Sequence, residues 1–375
     1  MGAIASALIA GGGIAGLVSA RALALAGLQV TVLERRHEVT DEGGIGIGLQ
    51  SNAMHALGSI GLAQRCLDAG VAVETVVMHA PDGTVVARQP TARHCGTHWP
   101  GYTGIRRSAL HAILVAGARE AGVTLLTDAK VAGLEQDPDR VQVTLADGRT
   151  LTADLLVGAD GVHSVLRAQL FPTHATPQPI AEGVWRAFIQ GVHRDDVRIM
   201  YGGGVGTIGY TPLRDGLYVY VVDSNDRAPA HDDPDLAGRL AALIGNIPGF
   251  PSELMRECSA AMGEVSYRRL QAVALPDPWY AGRAILLGDA AHAGPPTLAQ
   301  GAAMGIEDGV VLAECLSANA DVASAFSIFM QRRHARVRTI MEASMTISEA
   351  QMAPGGRPRM IEAQQAAAAA LALPY

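Results

Sequence analysis

Cysteine is scarce in this chain. Only Cys66, Cys95, Cys258 and Cys315 occur, and no two form a C-x-x-C pair. A disulfide framework and a dithiol redox centre are thereby excluded, and a reducing cytoplasm is the expected setting. Charge of one sign is never concentrated either. Lysine and arginine number 29 against 36 acidic residues, a net of -7, without a run of five like charges. Neither nucleic acid nor an anionic membrane surface is an expected partner. No apolar span long enough to cross a bilayer is free of glycine and charge. Residues 1–27 are apolar, but they lack a basic leading region and are interrupted at Gly11–Gly13, which argues against a secretory signal. The start at Gly2 fits a myristoylation pattern, read as accidental because a strand that must be buried follows two residues later. Metal-ligand spacing is missing as well. His94, Cys95 and His98 sit in a loop with proline and glycine and no fourth ligand in view, so no metal is expected. A small molecule is the partner these absences leave.

Glycine, by contrast, is abundant and placed at corners. Residues 4–10 form a short apolar run, followed by Gly11-Gly12-Gly13-Ile14-Ala15-Gly16, an Ala/Leu-rich stretch to Ala26, and Gly27. This reads as a buried strand, a tight turn, a helix and its left-handed cap. A β-branched run from Leu28 to Leu33 then ends on Glu34. In such a unit Gly11 permits the turn, Gly13 lets backbone N–H groups approach a pyrophosphate, and Gly16 lets helix and strand pack closely. The opening helix residues, Ile14 and Ala15, supply N–H groups and about half a positive charge. Glu34 can accept hydrogen bonds from an adenosine ribose, with Arg35 beside it, and would repel a ribose phosphate. FAD or NAD is favoured over NADP in this site.

The pattern returns twice. Leu155-Leu156-Val157 leads into Gly158-Ala159-Asp160-Gly161, and Ala284–Leu287 leads into Gly288-Asp289-Ala290-Ala291-His292, with Pro295-Pro296 and Gln300-Gly301 following. Between these corners lie runs that alternate as antiparallel strands do, at 71–90 around Pro81-Asp82-Gly83 and from about 178 to 275. Helical period is expected at 52–57, 108–120 and 301–347, and a terminal helix at 362–375. The fold class is therefore α/β, with a Rossmann-like dinucleotide domain interwoven with a mostly antiparallel sheet domain. We expect residues 1–73, 103–177 and 276–340 in the first, 74–102 and 178–275 in the second, which binds substrate, and 341–375 as a C-terminal helical segment.

The three phrases together resemble the single-component FAD-dependent aromatic hydroxylases, the group of p-hydroxybenzoate and salicylate hydroxylases. The run Gly158 to Arg167 is similar to that family's "DG" motif and the run from Gly288 to its "GD" motif, and the likeness covers roughly residues 4–340. The resemblance implies FAD as cofactor and NADH or NADPH as a transient electron donor, since only one G-x-G-x-x-G exists and a separate nicotinamide domain is missing. It implies that Asp289 holds a ribityl hydroxyl, that Asp160 serves FAD and the nicotinamide pyrophosphate, and that Arg107 is a further FAD contact. Gln50 is expected beside the isoalloxazine ring. A helix starting near Gly301 and Ala302, next to Gln300, would offer its N–H groups to the anionic edge of reduced flavin. The halogenases of the same fold carry a paired-tryptophan signature, whereas Trp99, Trp185 and Trp279 are solitary.

The implied reaction is hydroxylation of an activated aromatic ring, phenolic or a hydroxylated N-heteroaromatic, with dioxygen through a flavin hydroperoxide. Ionising a phenol of pKa near 10 at pH 7 costs about 4 kcal/mol, so a base or a cationic environment is expected nearby. Arg186 stands where many family members place an arginine facing substrate or flavin, and Tyr210 falls on the strand that lines the ring pocket. Pro296 stiffens the flavin loop, and His292 is a structural or loop residue with a possible part in proton transfer. Two histidines that some relatives carry are replaced by Gly48 and Gly206, which suggests a roomier pocket. A reductase or dehydrogenase on the same scaffold, or a non-catalytic FAD-binding protein, is the alternative. The assembly is expected to be a monomer or homodimer.

Overall fold

The computed structural model describes residues 4–39, 44–230, 232–258, 261–319 and 321–375. Gly2 and Gly43 lie outside the described residues. The first strand, Ser6–Ala10, is buried along most of its length and pairs in parallel with Gln29–Leu33 on one side and Leu155–Gly158 on the other. Ala284–Leu286 and Thr124–Leu126 extend this sheet in parallel, and Tyr280–Ala281 closes one edge antiparallel. All three glycine phrases thus leave the same end of one sheet, where an open parallel sheet takes its ligands. The helix Ile14–Leu25 follows the first phrase and packs on the helix Gly301–Ala318.

A second sheet of seven strands runs in the order Met262–Ala272, Gln178–Gln190, Gly216–Ser224, Thr207–Leu213, Asp196–Tyr201, Thr75–His79, Val85–Pro90. It is antiparallel except where Asp196–Tyr201 meets Thr75–His79. The turn expected at Pro81-Asp82-Gly83 joins the last two strands, with Asp82 Oδ1 accepting from the Thr84 N–H at 2.9 Å. Two smaller three-stranded sheets complete the β structure, one built from Gly46–Gln50, Tyr102–Arg106 and Val71–Val73, the other from residues 131–153.

The stretch 178–275 is not all strand. The helices Leu236–Gly245 and Phe250–Cys258 lie within it and cover one face of the seven-stranded sheet. Leu236, Leu240 and Ile244 repeat every four residues, and Asp235 caps the helix by accepting from Gly238 N–H at 2.9 Å. That face buries Trp185, Ala187, Ile208, Val219 and Val221 as a core of its own. The opposite face is left for the rest of the molecule.

The helix Val322–Met352 runs through residue 340, where a segment boundary was expected, and ties the C-terminal region to the seven-stranded sheet. The terminal helix is Arg357–Ala372, starting five residues earlier than expected. Near the end of the long helix, Ser348 Oγ and Gln351 Nε2 both donate to the buried Glu182 carboxylate. Burial holds the Glu182 carboxyl above the usual carboxylate range, the two hydrogen bonds opposing that shift. A carboxyl raised on folding makes the protein most stable below the unfolded value of about 4.3 and less so as pH rises towards the folded value. Glu182→Gln should therefore melt higher than the parent at pH 8 and alike near pH 4 in parallel thermal scans.

Candidate active site

Between the glycine corners and the open face of the seven-stranded sheet lies a cavity of about 740 Å³. Its construction follows from close backbone approach. Gly11 has φ +106°, and a Cβ there would come within 2.3 Å of the Ala159 carbonyl oxygen, so only glycine fits between the first and second phrases. A Cβ at Gly16 would meet the Gly11 carbonyl oxygen at 2.0 Å. Around Gly13, by contrast, nothing lies within 4 Å of the Cβ position, and Gly13, Ile14 and Ala15 line the cavity.

The helices Ile14–Leu25 and Gly301–Ala318 both begin without a side-chain cap. Their opening residues line the same cavity, so their first N–H groups offer positive poles to a ligand there. Asp289 also lines it, and the cap of its short helix is Gly288, not Asp289. A cavity lined by two uncapped helix starts and by all three glycine corners suits an anionic dinucleotide. The chain's residues fit FAD.

The other expected residues divide by position. Arg107, Gln50, Arg186, Pro296, Gly301 and Ala302 line the cavity. Gln300 is buried behind it, where its Nε2 donates to Gln50 Oε1 at 2.7 Å, while Gln50 Nε2 donates to the Leu298 carbonyl at 2.7 Å. Glu34 stands at the end of its strand, and its Oε2 accepts the Gly12 N–H at 2.9 Å. Arg35 is exposed on the loop beyond it.

One placement corrects the sequence reading, and two others add buried contacts to it. Tyr210 faces away from the cavity: it is buried in the helix-covered core and donates to Asp196 Oδ1 at 2.7 Å. The strand alternates, so Thr207 and Thr211 face the cavity and residues 208 and 210 face the helices. His292 is buried too, with Nε2–H donating to Asp308 Oδ2 at 2.7 Å, the structural contact that its reading as a structural or loop residue allows. Asp160 anchors a helix through Oδ2, which accepts from Val165 N–H at 2.8 Å and Leu166 N–H at 3.3 Å, while its buried Oδ1 has no partner among the described residues and its neighbours Ala159 and Gly161 line the cavity.

Neither replacement glycine enlarges the cavity. A Cβ at Gly48 would lie 1.9 Å from Tyr102 Oη, and one at Gly206 would lie 2.9 Å from Met352 Sδ. Gly44 and alternate residues of the strand Gly46–Gln50 that follows it carry one large neighbour each: Arg107 over Gly44, Tyr218 over Gly46, Tyr102 over Gly48. Sequence reasoning missed Tyr102, Tyr201, Tyr218 and Tyr220, all lining the cavity. The spacing of Tyr218 and Tyr220 on one strand was the available signal.

Beneath the loop 294–300 sits a buried ion cluster that was also missed. Arg333 donates to Glu307 Oε2 at 2.5 Å and Asp308 Oδ1 at 2.9 Å, and Arg336 donates to both Glu307 oxygens at 2.9 Å. Asn52 Nδ2 joins Glu307 Oε1 at 2.7 Å to Gln300 Oε1 at 3.0 Å, and the Gly288 N–H donates to Asp308 at 3.1 Å. Against the effect of burial, Arg333 and Arg336 hold the Glu307 carboxyl below its usual range, and His292 with Arg333 does the same for Asp308. Among the described residues no three His, Cys, Asp or Glu side chains gather to hold a metal, and no helix is long and apolar enough to cross a membrane.

Residues 5–200 and 255–344 match the FAD binding domain family. The chain belongs to that family. It is 34% identical over 365 residues to 3-hydroxybenzoate 6-hydroxylase of Polaromonas naphthalenivorans, covering 93% of this chain and 88% of the relative. It is 32% identical over 350 residues to 2-heptyl-3-hydroxy-4(1H)-quinolone synthase of Pseudomonas aeruginosa, covering 91% and 88%. The solved structure of 2-methyl-3-hydroxypyridine-5-carboxylic acid oxygenase superposes with a TM-score of 0.78 at 25% identity, covering 96% of each chain. The protein is thus an enzyme, an FAD-dependent monooxygenase of the aromatic hydroxylase family, with NADH or NADPH as the family's electron donor.

Two substitutions test this geometry. Gly11→Ala should weaken FAD binding roughly tenfold or more, the effect of about 1.4 kcal/mol of misfit, read as flavin content and Kd by fluorescence. Glu307→Gln removes the carboxylate that two buried arginines share. It should cost about 3–5 kcal/mol in denaturant unfolding.

Proposed function

We propose that the substrate is a hydroxylated aromatic acid, bound between the loop 294–302 and the open face of the seven-stranded sheet. One observation carries this reading: among the described residues, the sheet side of the cavity holds Arg186 and Arg268 and no acidic side chain. A sheet face that carries two cations favours an anion, and it lowers the cost of ionising a phenol beside it. Two of the similar proteins support the class, since their names describe acids that also carry a ring hydroxyl.

Arg186 Nε donates to Tyr218 Oη at 3.2 Å, which steadies the guanidinium while it faces the ligand. We assign it the substrate carboxylate. Gln50, steadied by Gln300, and the backbone of residues 296–302 are assigned the flavin ring. The opening N–H groups of residues 13–16 are assigned the pyrophosphate, Glu34 with Arg35 the adenosine ribose, and Asp289 the ribityl chain. Arg107, in the groove over Gly44, is a further FAD contact. Bound FAD, reduced by the nicotinamide donor, supplies dioxygen activation, and the protein positions the ring and excludes water. Four free cysteines support a cytoplasmic setting, and we propose a monomer or homodimer.

Hydroxybenzoates and hydroxypyridine carboxylates should accelerate NADH or NADPH oxidation by the FAD-loaded enzyme with dioxygen uptake. Arg186→Ala should raise KM for the preferred acid between about tenfold and a hundredfold, matching the ~1.5–3 kcal/mol of a hydrogen bond to a charged group, at unchanged FAD content. Equal KM values in the two enzymes would remove Arg186 from the site.

A further inference from the structure

Tyr102 and Thr211 belong to different sheets and meet at the cavity. Tyr102 begins the strand Tyr102–Arg106, where its backbone pairs with Gln50. Thr211 lies on the cavity face of Thr207–Leu213. Gly104 brings the two strands together, because a Cβ there would come within 2.1 Å of the Pro212 carbonyl oxygen and 2.6 Å of Thr211 Cγ2. The ring of Tyr102 fits only because residue 48 is glycine. At the end of this arrangement the two hydroxyls are 2.9 Å apart, and both residues line the cavity.

Two hydroxyls carry two protons, and their mutual bond uses one. The pair keeps one O–H to donate and lone pairs to accept, inside a cavity whose cations favour an anionic oxygen. Burial pushes the Tyr102 hydroxyl up to about 12, the Thr211 bond opposing, so Tyr102 is a donor throughout the neutral range.

We propose that the Tyr102–Thr211 pair binds the ring oxygen of the substrate, donating to its phenolic or phenolate oxygen and so selecting hydroxylated rings over their ethers. The inference rests on the substrate class proposed above. Tyr102 takes the space over residue 48 that a side chain would otherwise fill, and it brings a donor to that place. An aromatic methyl ether keeps the ring and the carboxylate, but its oxygen cannot ionise and its methyl group crowds the pair.

The test is equilibrium binding to the FAD-loaded enzyme, followed by the flavin absorbance change. A panel of hydroxybenzoates and hydroxypyridine carboxylates is compared with the matching methoxy compounds. The parent enzyme should prefer its best hydroxy acid over the methyl ether by roughly tenfold or more, and Tyr102→Phe should bind that acid roughly tenfold more weakly, about 1.4 kcal/mol, with ether binding unchanged. Thr211→Val should lose part of the same preference. An undiminished preference in Tyr102→Phe, or no preference in the parent enzyme, would overturn the assignment. A parent enzyme that discriminates in binding yet shows no ligand-stimulated NAD(P)H oxidation would sink the hydroxylase substrate reading and leave the pair standing. Normal turnover with unaltered discrimination in Tyr102→Phe would sink the pair alone.

Discussion

A cluster of four buried charges holds the site in shape. Glu307 and Asp308 lie buried in the helix Gly301–Ala318, and from the long helix that packs on it Arg333 reaches both and Arg336 reaches Glu307. Burying such charges is costly unless each finds partners, and here every carboxylate and guanidinium is satisfied. The groups that complete the satisfaction belong to the site itself: the Gly288 N–H, and Asn52 with its link to Gln300 and Gln50. The third glycine corner, the loop 294–300 and the C-terminal helices are therefore positioned by one electrostatic requirement.

Close backbone approach is the second constraint. Glycine at 11 and 16 lets the first turn lie against Ala159 and the helix against its strand, and glycine at 44, 46 and 48 makes room for Arg107, Tyr218 and Tyr102. The same residue type has opposite uses in the two places. In the first turn it lets backbone pack on backbone and, at Gly13, leaves open space for a ligand; at 44, 46 and 48 it admits a protein side chain that also lines the cavity. A reading of glycine as mere room is wrong at position 48, where the vacated volume is filled by a tyrosine from another strand.

The seven-stranded sheet shows how one register decides which chemistry is available. One face carries Trp185, Ile208, Tyr210 and Val219 under two helices, and the other carries Arg186, Thr211, Tyr218 and Tyr220 towards the cavity. Assigning Tyr210 to the cavity is an error of a single residue, and in a strand that reverses the direction of the side chain. The helices that cover its face are legible in the four-residue spacing of Leu236, Leu240 and Ile244, but only the packed sheet shows which face they cover.

The sequence by itself determined the dinucleotide grip, the α/β class and the order of the three corners, because these rest on local rules: a glycine turn after a buried strand, a helix start, an acidic strand end. The places of Gln50, Pro296 and Asp289 in the cavity lining were also legible, since each lies in or beside a recognisable glycine-rich phrase, and that of Arg186 came from the family resemblance. The tertiary structure alone decided the surroundings of Tyr210, His292 and Tyr102. Their surroundings come from residues distant in the chain, such as Asp308 for His292 and Thr211 for Tyr102. Whether a polar side chain meets a ligand, a helix end or a buried counter-charge depends on which distant strand or helix packs against it. Local spacing does not encode that choice.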